Sequence, residues 1–148
     1  MRAEGTGGDL LYAQTGADLA AALQDIGRQA VAFFAAFETK APALRSDRVH
    51  CPCEACQHIS QLRLKVFLHQ GAVVFKKIRQ FEELAGEEVI LVHRLLKNSV
   101  PSHEYILMTE AFHTPAGNLP GYRLETREEV YSDMGRVPVW VFYPVATR

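Results

Sequence analysis

The sequence predicts one α+β domain, a mostly antiparallel sheet with helices packed on it, and three observations lead there. From Ala17 to about Thr39, Leu19, Leu23, Ile26, Ala30, Phe33, Phe34 and Phe37 recur every three or four residues, the period of a helix with one apolar side. Leu62, Leu64, Val66 and Leu68 alternate with Arg63, Lys65 and Phe67, the period of two that belongs to a strand. The last part of the chain is strand-like again, from Arg123 to Tyr131 and from Val137 to Tyr143, on either side of a Met134-Gly135 turn.

Along the chain, the glycine-rich turn Gly5-Thr6-Gly7-Gly8-Asp9 leads into Leu10-Leu11-Tyr12-Ala13, a short apolar run expected to be a strand. The long helix follows, and Pro42 is expected to help end it, because proline has no N–H to continue the ladder. Residues 46–60 form a polar connector that holds all three cysteines. The strand at 62–68 is expected to turn at Gln70-Gly71 and pair antiparallel with a strand from Ala72 to Ile78. Glu88 to Leu96 places Val89, Val92, Leu95 and Leu96 on one helical face, and Asn98 to Pro101 stops that helix. Tyr105 to Met108 then resumes extended structure.

A chain of 148 residues with 48% hydrophobic residues suits one domain over 1–148 with an ordinary core. Sixteen basic and seventeen acidic residues give a net charge of −1 and no basic run, so no nucleic-acid footprint is present. The longest apolar tracts, Ala30–Phe37 and Val137–Val145, fall short of the roughly 20 residues that span a bilayer. Met1-Arg2-Ala3-Glu4-Gly5 lacks the basic start and apolar stretch of a secretory signal. The expectation is a cytoplasmic protein whose cysteines are thiols or metal ligands.

Four local patterns carry chemistry. Gly8-Asp9-Leu10-Leu11-Tyr12-Ala13 puts a carboxylate on a turn, where it serves either as a turn cap or as a hard oxygen ligand for magnesium. His69-Gln70-Gly71 puts a histidine at a strand end, a position that favours packing or hydrogen bonding over catalysis. Glu83-Leu84-Ala85-Gly86-Glu87-Glu88-Val89-Ile90-Leu91-Val92-His93-Arg94-Leu95 carries a carboxylate before a helix and an arginine within it. Met134-Gly135-Arg136-Val137-Pro138-Val139-Trp140 carries an arginine just after a turn glycine, able to grip phosphate oxygens through its fork of donors. Solvated or ion-paired roles are the alternative readings of Glu83, Arg94 and Arg136.

In this order the four patterns resemble the catalytic core of the class III adenylate and guanylate cyclases, from Gly8 to Phe142. The resemblance implies a truncated cyclase-like, ferredoxin-like core. It places Asp9 at one of two metal-binding aspartates, Glu83 at the base-reading carboxylate and Arg94 at an arginine four residues after a transition-state asparagine. Arg136 falls at the basic residue that reaches the triphosphate. Ile90 stands where the asparagine belongs, and it cannot donate a hydrogen bond to developing charge. The family's first strand and helix, with its second aspartate, would precede Met1, and Gly5 and Gly7 flank the place of its base-reading lysine. The best likeness is to an uncharacterised bacterial branch with the cysteine segment and the phrase His93-Arg94-Leu95-Leu96-Lys97-Asn98-Ser99.

Cys51-Pro52-Cys53-Glu54-Ala55-Cys56, flanked by His50 and His58, places three thiols and two imidazoles within nine residues. Three sulfurs and either histidine would complete the tetrahedron that zinc prefers. A redox pair with a spare thiol, and plain reduced cysteines, are the other readings.

Three functions are therefore expected to compete. The first is a degenerate, noncatalytic cyclase-like module for protein contacts or nucleotide sensing. The second is an active class III nucleotidyl cyclase, using magnesium or manganese, whose N-terminal part lies outside this chain. The third is a zinc-stabilised structural or interaction domain. Because class III sites form between two domains, the resemblance implies a homodimer or pairing with another cyclase-like domain.

Overall fold

The structure is a computed structural model that describes residues 16–145. Asp18 opens the first helix: its carboxylate accepts from the Ala21 N–H at 3.0 Å, satisfying one of the free donors at a helix start. Helix α1 (Leu19–Asp47) buries Leu23, Gly27, Ala30 and Phe34, spaced by four, three and four residues along one side. A Cβ on Gly27 would lie 3.4 Å from Leu119 Cδ2, so this glycine lets the helix backbone approach the Leu119 side chain.

Pro42 does not end α1, which runs five residues further, to Asp47. Proline in a helix interior costs one hydrogen bond, but the last turns of α1 pack on a 3₁₀ turn at Ile59–Gln61, and tertiary packing outweighs that local cost. The connector between them carries the short helix α2 (Glu54–Gln57).

The main sheet consists of β1 (Lys65–Leu68), β4 (Tyr105–Thr109), β6 (Gly135–Pro144) and β5 (Tyr122–Tyr131), in that spatial order. A separate hairpin is formed by β2 (Val74–Ile78) and β3 (Phe81–Ala85), followed by helix α3 (Glu87–Leu95). A further helix, α4 (Glu110–Ala116), leaves β4 directly. In the main sheet β4–β6 and β5–β6 are antiparallel, whereas β1 runs parallel to β4, with Lys65 opposite Tyr105 and Leu68 opposite Met108.

The expected hairpin between the strand at 62–68 and the strand from Ala72 to Ile78 is therefore corrected. Gln70-Gly71 is not its turn. The chain leaves the main sheet there, and β2 folds back on β3 through the two-residue turn Arg79-Gln80. Arg79 supplies the positive φ of 58° that such a turn needs, a role usually given to glycine or asparagine, and so the sequence carries no ordinary turn signal. The Glu83 carboxylate, expected just before a helix, sits on strand β3, which leads into α3. At the other hairpin the turn lies at 132–134, and β6 starts at Gly135, with φ 73°, two residues before the expected Val137.

Side-chain alternation sends the two faces of the sheet to different partners. Ile106, Met108 and Phe142 meet Leu23, Ala30 and Phe34 of α1 and Phe112 of α4 on one face. Tyr105, Leu107, Val139, Val141 and Tyr143 meet Leu95 of α3 on the other. All five residues of β4 are buried, as a central strand between two helical layers requires. Helix α1 and helix α3, which carries Arg94, thus cover opposite faces of one sheet. No helix among the described residues is long and apolar enough to cross a membrane.

Candidate functional site

The end of β1 carries His69, whose side chain is only 9% exposed. Its Nε2 donates to Glu88 Oε2 of α3 at 2.5 Å, and its Nδ1 lies 2.8 Å from the Thr109 hydroxyl at the end of β4. One imidazole therefore ties two strands to the first turn of α3. Gly71 leaves room for this: a Cβ there would stand 2.6 Å from Glu88 Cδ. The histidine and glycine two residues apart thus work as one structural unit. Gly71→Ala should push the Glu88 carboxylate off His69 and cost about 1–3 kcal/mol, the loss of one charged hydrogen bond with a partner left unmet. Urea unfolding of Gly71→Ala, Glu88→Ala and the double variant checks this: the double variant should lose little more than Glu88→Ala alone.

On the outer side of α3, Ile90 is 51% exposed and Arg94 lies one helical turn beyond it. Arg94 reaches the β5–β6 loop, where its Nε and Nη2 donate to Asp133 Oδ2 at 3.0 and 2.7 Å. Arg136, past the same loop, donates from Nη1 to Glu128 Oε1 at 2.6 Å. Both arginines are exposed, and both are neutralised within the chain. The structure brings Arg94 and the Arg136 hairpin together. Glu83 lies apart, on β3 opposite Lys76 in the β2–β3 register. Asp9, like the strand expected at Leu10–Ala13 and the glycines beside the lysine place, lies outside the described residues.

Sequence reasoning passed over Glu88, Thr109, Glu128 and Asp133. Asp133 is 39 residues from Arg94 and Thr109 is 40 from His69, so no local spacing could reveal those pairs. A buried polar group below α3 went unseen for the same reason. The Glu129 carboxylate accepts from the Ser99 backbone N–H at 2.9 Å and from the Ser99 hydroxyl at 2.8 Å.

In the connector, the ligand atoms of Cys51, Cys53 and Cys56 all lie within 4.8 Å of one another. Cys53 caps α2, accepting the Cys56 N–H at 3.4 Å, and the Cys51 thiol donates to it at 3.3 Å. Gln57 Nε2 closes the loop on the Pro52 carbonyl at 3.1 Å. Hydrogen bonding from the Cys56 thiol, then from the Cys56 backbone and the Cys51 thiol, draws the Cys53 thiol down to about 7. Cys56, the donor of that pair, is pushed up to about 12 by its bonding to Cys53 and then to Cys51. Neither His50 nor His58 belongs to the thiol cluster, and His58 Nδ1 donates to the Glu54 carbonyl at 2.8 Å. Three sulfurs held this way fit a thiophilic metal ion.

Residues 3–105 match the family described as protein of unknown function (DUF2652). The chain also resembles the uncharacterized protein Rv2561/Rv2562 of Mycobacterium tuberculosis, with 42% identity over 74 residues, half of this chain and 34% of that protein's length. The match thus spans about a third of that relative. No solved structure matches the chain. With its family match covering well over half of its length, the chain belongs to the DUF2652 family.

Proposed function

We propose that this member of the DUF2652 family is a degenerate, noncatalytic cyclase-like module that works through contact with a second cyclase-like domain or through weak nucleotide sensing. The observation that carries the reading is the meeting of three separated motifs on α3. The His69-Gln70-Gly71 strand end bonds to Glu88, and the hairpin bearing Arg136 bonds through Asp133 to Arg94. Motifs that come in the cyclase order thus converge on one helix.

The details favour lost catalysis over retained catalysis. Ile90 presents a hydrocarbon where the resemblance places a hydrogen-bond donor, and loss of one such donor can cost about a hundredfold to a thousandfold in rate. Arg94 and Arg136 would have to leave Asp133 and Glu128 before gripping phosphates, which weakens nucleotide binding. Asp9, the magnesium ligand in this reading, lies outside the described residues. The surface for a partner domain in this reading is one face of the β2–β3 hairpin, where Val74, Ile78 and Phe81 are more than half exposed around the Lys76 and Glu83 register pair.

With magnesium or manganese and ATP or GTP, the chain alone should form no cyclic nucleotide above a no-protein control. Turnover by the unmodified chain, abolished by Asp9→Ala, would overturn the degenerate reading and establish a working cyclase.

A second reading, a metal-stabilised structural or interaction domain, is favoured by the clustering of the three thiols. About one equivalent of a thiophilic metal ion per chain is the expected result after metal-replete expression. Less than about a tenth of an equivalent of any metal would defeat it.

A further inference from the structure

The ligand set of the connector is short by one for zinc. Structural zinc sites take four protein ligands in a closed tetrahedron, whereas the cluster here offers three sulfurs and, among the described residues, no imidazole or carboxylate joins it. His58, the histidine next after Cys56, has one ring nitrogen committed to the Glu54 carbonyl. The remaining donors share one character. All are sulfur, and all come from one six-residue stretch stiffened by Pro52 and by the Gln57 bond to the Pro52 carbonyl.

We propose that Cys51, Cys53 and Cys56 form a thiolate-only site for a soft monovalent ion satisfied by three sulfurs, of the Cu(I) class, in preference to zinc. The proposal rests on reading the thiol cluster as a metal site and specifies its cargo. Sulfurs no more than 4.8 Å apart can close on one ion at metal–sulfur lengths of about 2.3 Å with small side-chain adjustments. Soft thiolates select Cu(I) by ligand type, and a trigonal ion has no fourth place for protein to fill. Cys53 is exposed while Cys51 and Cys56 are half-buried, so the ion enters from solvent and settles against the loop. Each thiol that binds releases its proton, and no change of oxidation state is involved.

The test uses the whole chain, fully reduced and without oxygen. Cu(I) is titrated in competition with bicinchoninate, zinc is titrated with a chromophoric chelator, and absorption at the copper edge reports the ligands. The expected result is about one Cu(I) per chain, bound by three sulfurs and no nitrogen, with Cu(I) displacing bound zinc. Cys53→Ser should weaken Cu(I) binding by at least the roughly 10–100-fold that loss of an outer-shell group costs a metal site. His50→Ala and His58→Ala should leave Cu(I) binding unchanged. Melting curves of the metal-free variants, expected to match the parent, separate loss of a ligand from misfolding.

A nitrogen ligand at the copper edge, or loss of Cu(I) affinity in either histidine variant, overturns the three-sulfur assignment. Zinc that Cu(I) cannot displace overturns the preference while leaving the metal site intact. Absence of binding by both ions defeats the metal-site reading as a whole.

Discussion

Phe142→Ala should lower the unfolding free energy by about 3–5 kcal/mol, the range for removing a large aromatic side chain from a packed core. Phe142 is fully buried in β6, paired with Ile106 of β4 and Leu124 of β5, and it packs in the cluster that joins the sheet to α1 and α4. The cavity would open where the central sheet and two helices meet, and none of them can collapse inward without moving the others. Domains of this kind are stable by about 5–15 kcal/mol, so the variant would lose a large share of its margin. Urea unfolding followed by far-ultraviolet circular dichroism measures the loss. A change below about 1 kcal/mol would mean that β6 is not central to the sheet.

Glu129→Ala should cost about 2–4 kcal/mol, the next largest expected effect, for an electrostatic rather than a volume reason. The carboxylate is 4% exposed and holds the chain just after α3 by accepting both the backbone N–H and the hydroxyl of Ser99. Arg127 Nε, which lies 4.0 Å from Glu129 Oε1, is buried without a hydrogen-bond partner, so removing the carboxylate takes away one of the two anions beside that guanidinium, Glu125 being the other, and leaves the Ser99 N–H unmet. Glu129→Gln should recover part of the loss, because an amide oxygen still accepts from Ser99. Equal destabilisation by both variants would assign the effect to charge alone.

A pH series adds a second readout of the same face. Hydrogen bonds from Arg127, and next from Tyr143, hold the Glu125 carboxyl below the usual carboxylate range. With its folded value depressed, the stabilisation from Glu125 is complete above its unfolded titration range and is lost as the pH falls through the folded one. Glu125→Gln should therefore flatten the acid side of the stability profile.

The sequence by itself determined the elements whose evidence is local and periodic. The apolar spacing from Leu19 to Phe37 belongs to a helix in any context, and the alternation around Val66 and from Val137 to Tyr143 belongs to strands. The α+β class follows from those periods, and the crowding of three thiols follows from their spacing, because residues two and three apart cannot separate far. Helix α4 was missed because Pro115 and a length of seven residues leave no sustained period.

Tertiary structure alone decided which strand met which. β1 and β2 look like hairpin partners because they are neighbours in sequence, but β1 has apolar side chains on both faces: Val66 and Leu68 pack toward α1 and Phe67 toward α3. Only a place in the main sheet covers both, and β4, lying 40 positions along in register, supplies it. The partners of Arg94, His69 and Glu129 were decided in the same way, because pairs formed across 19–40 residues leave no mark in local spacing. Charge could be read from the sequence; its neutralisation by Asp133 and Glu128 could not, because Coulomb attraction depends on separation in space, which folding sets.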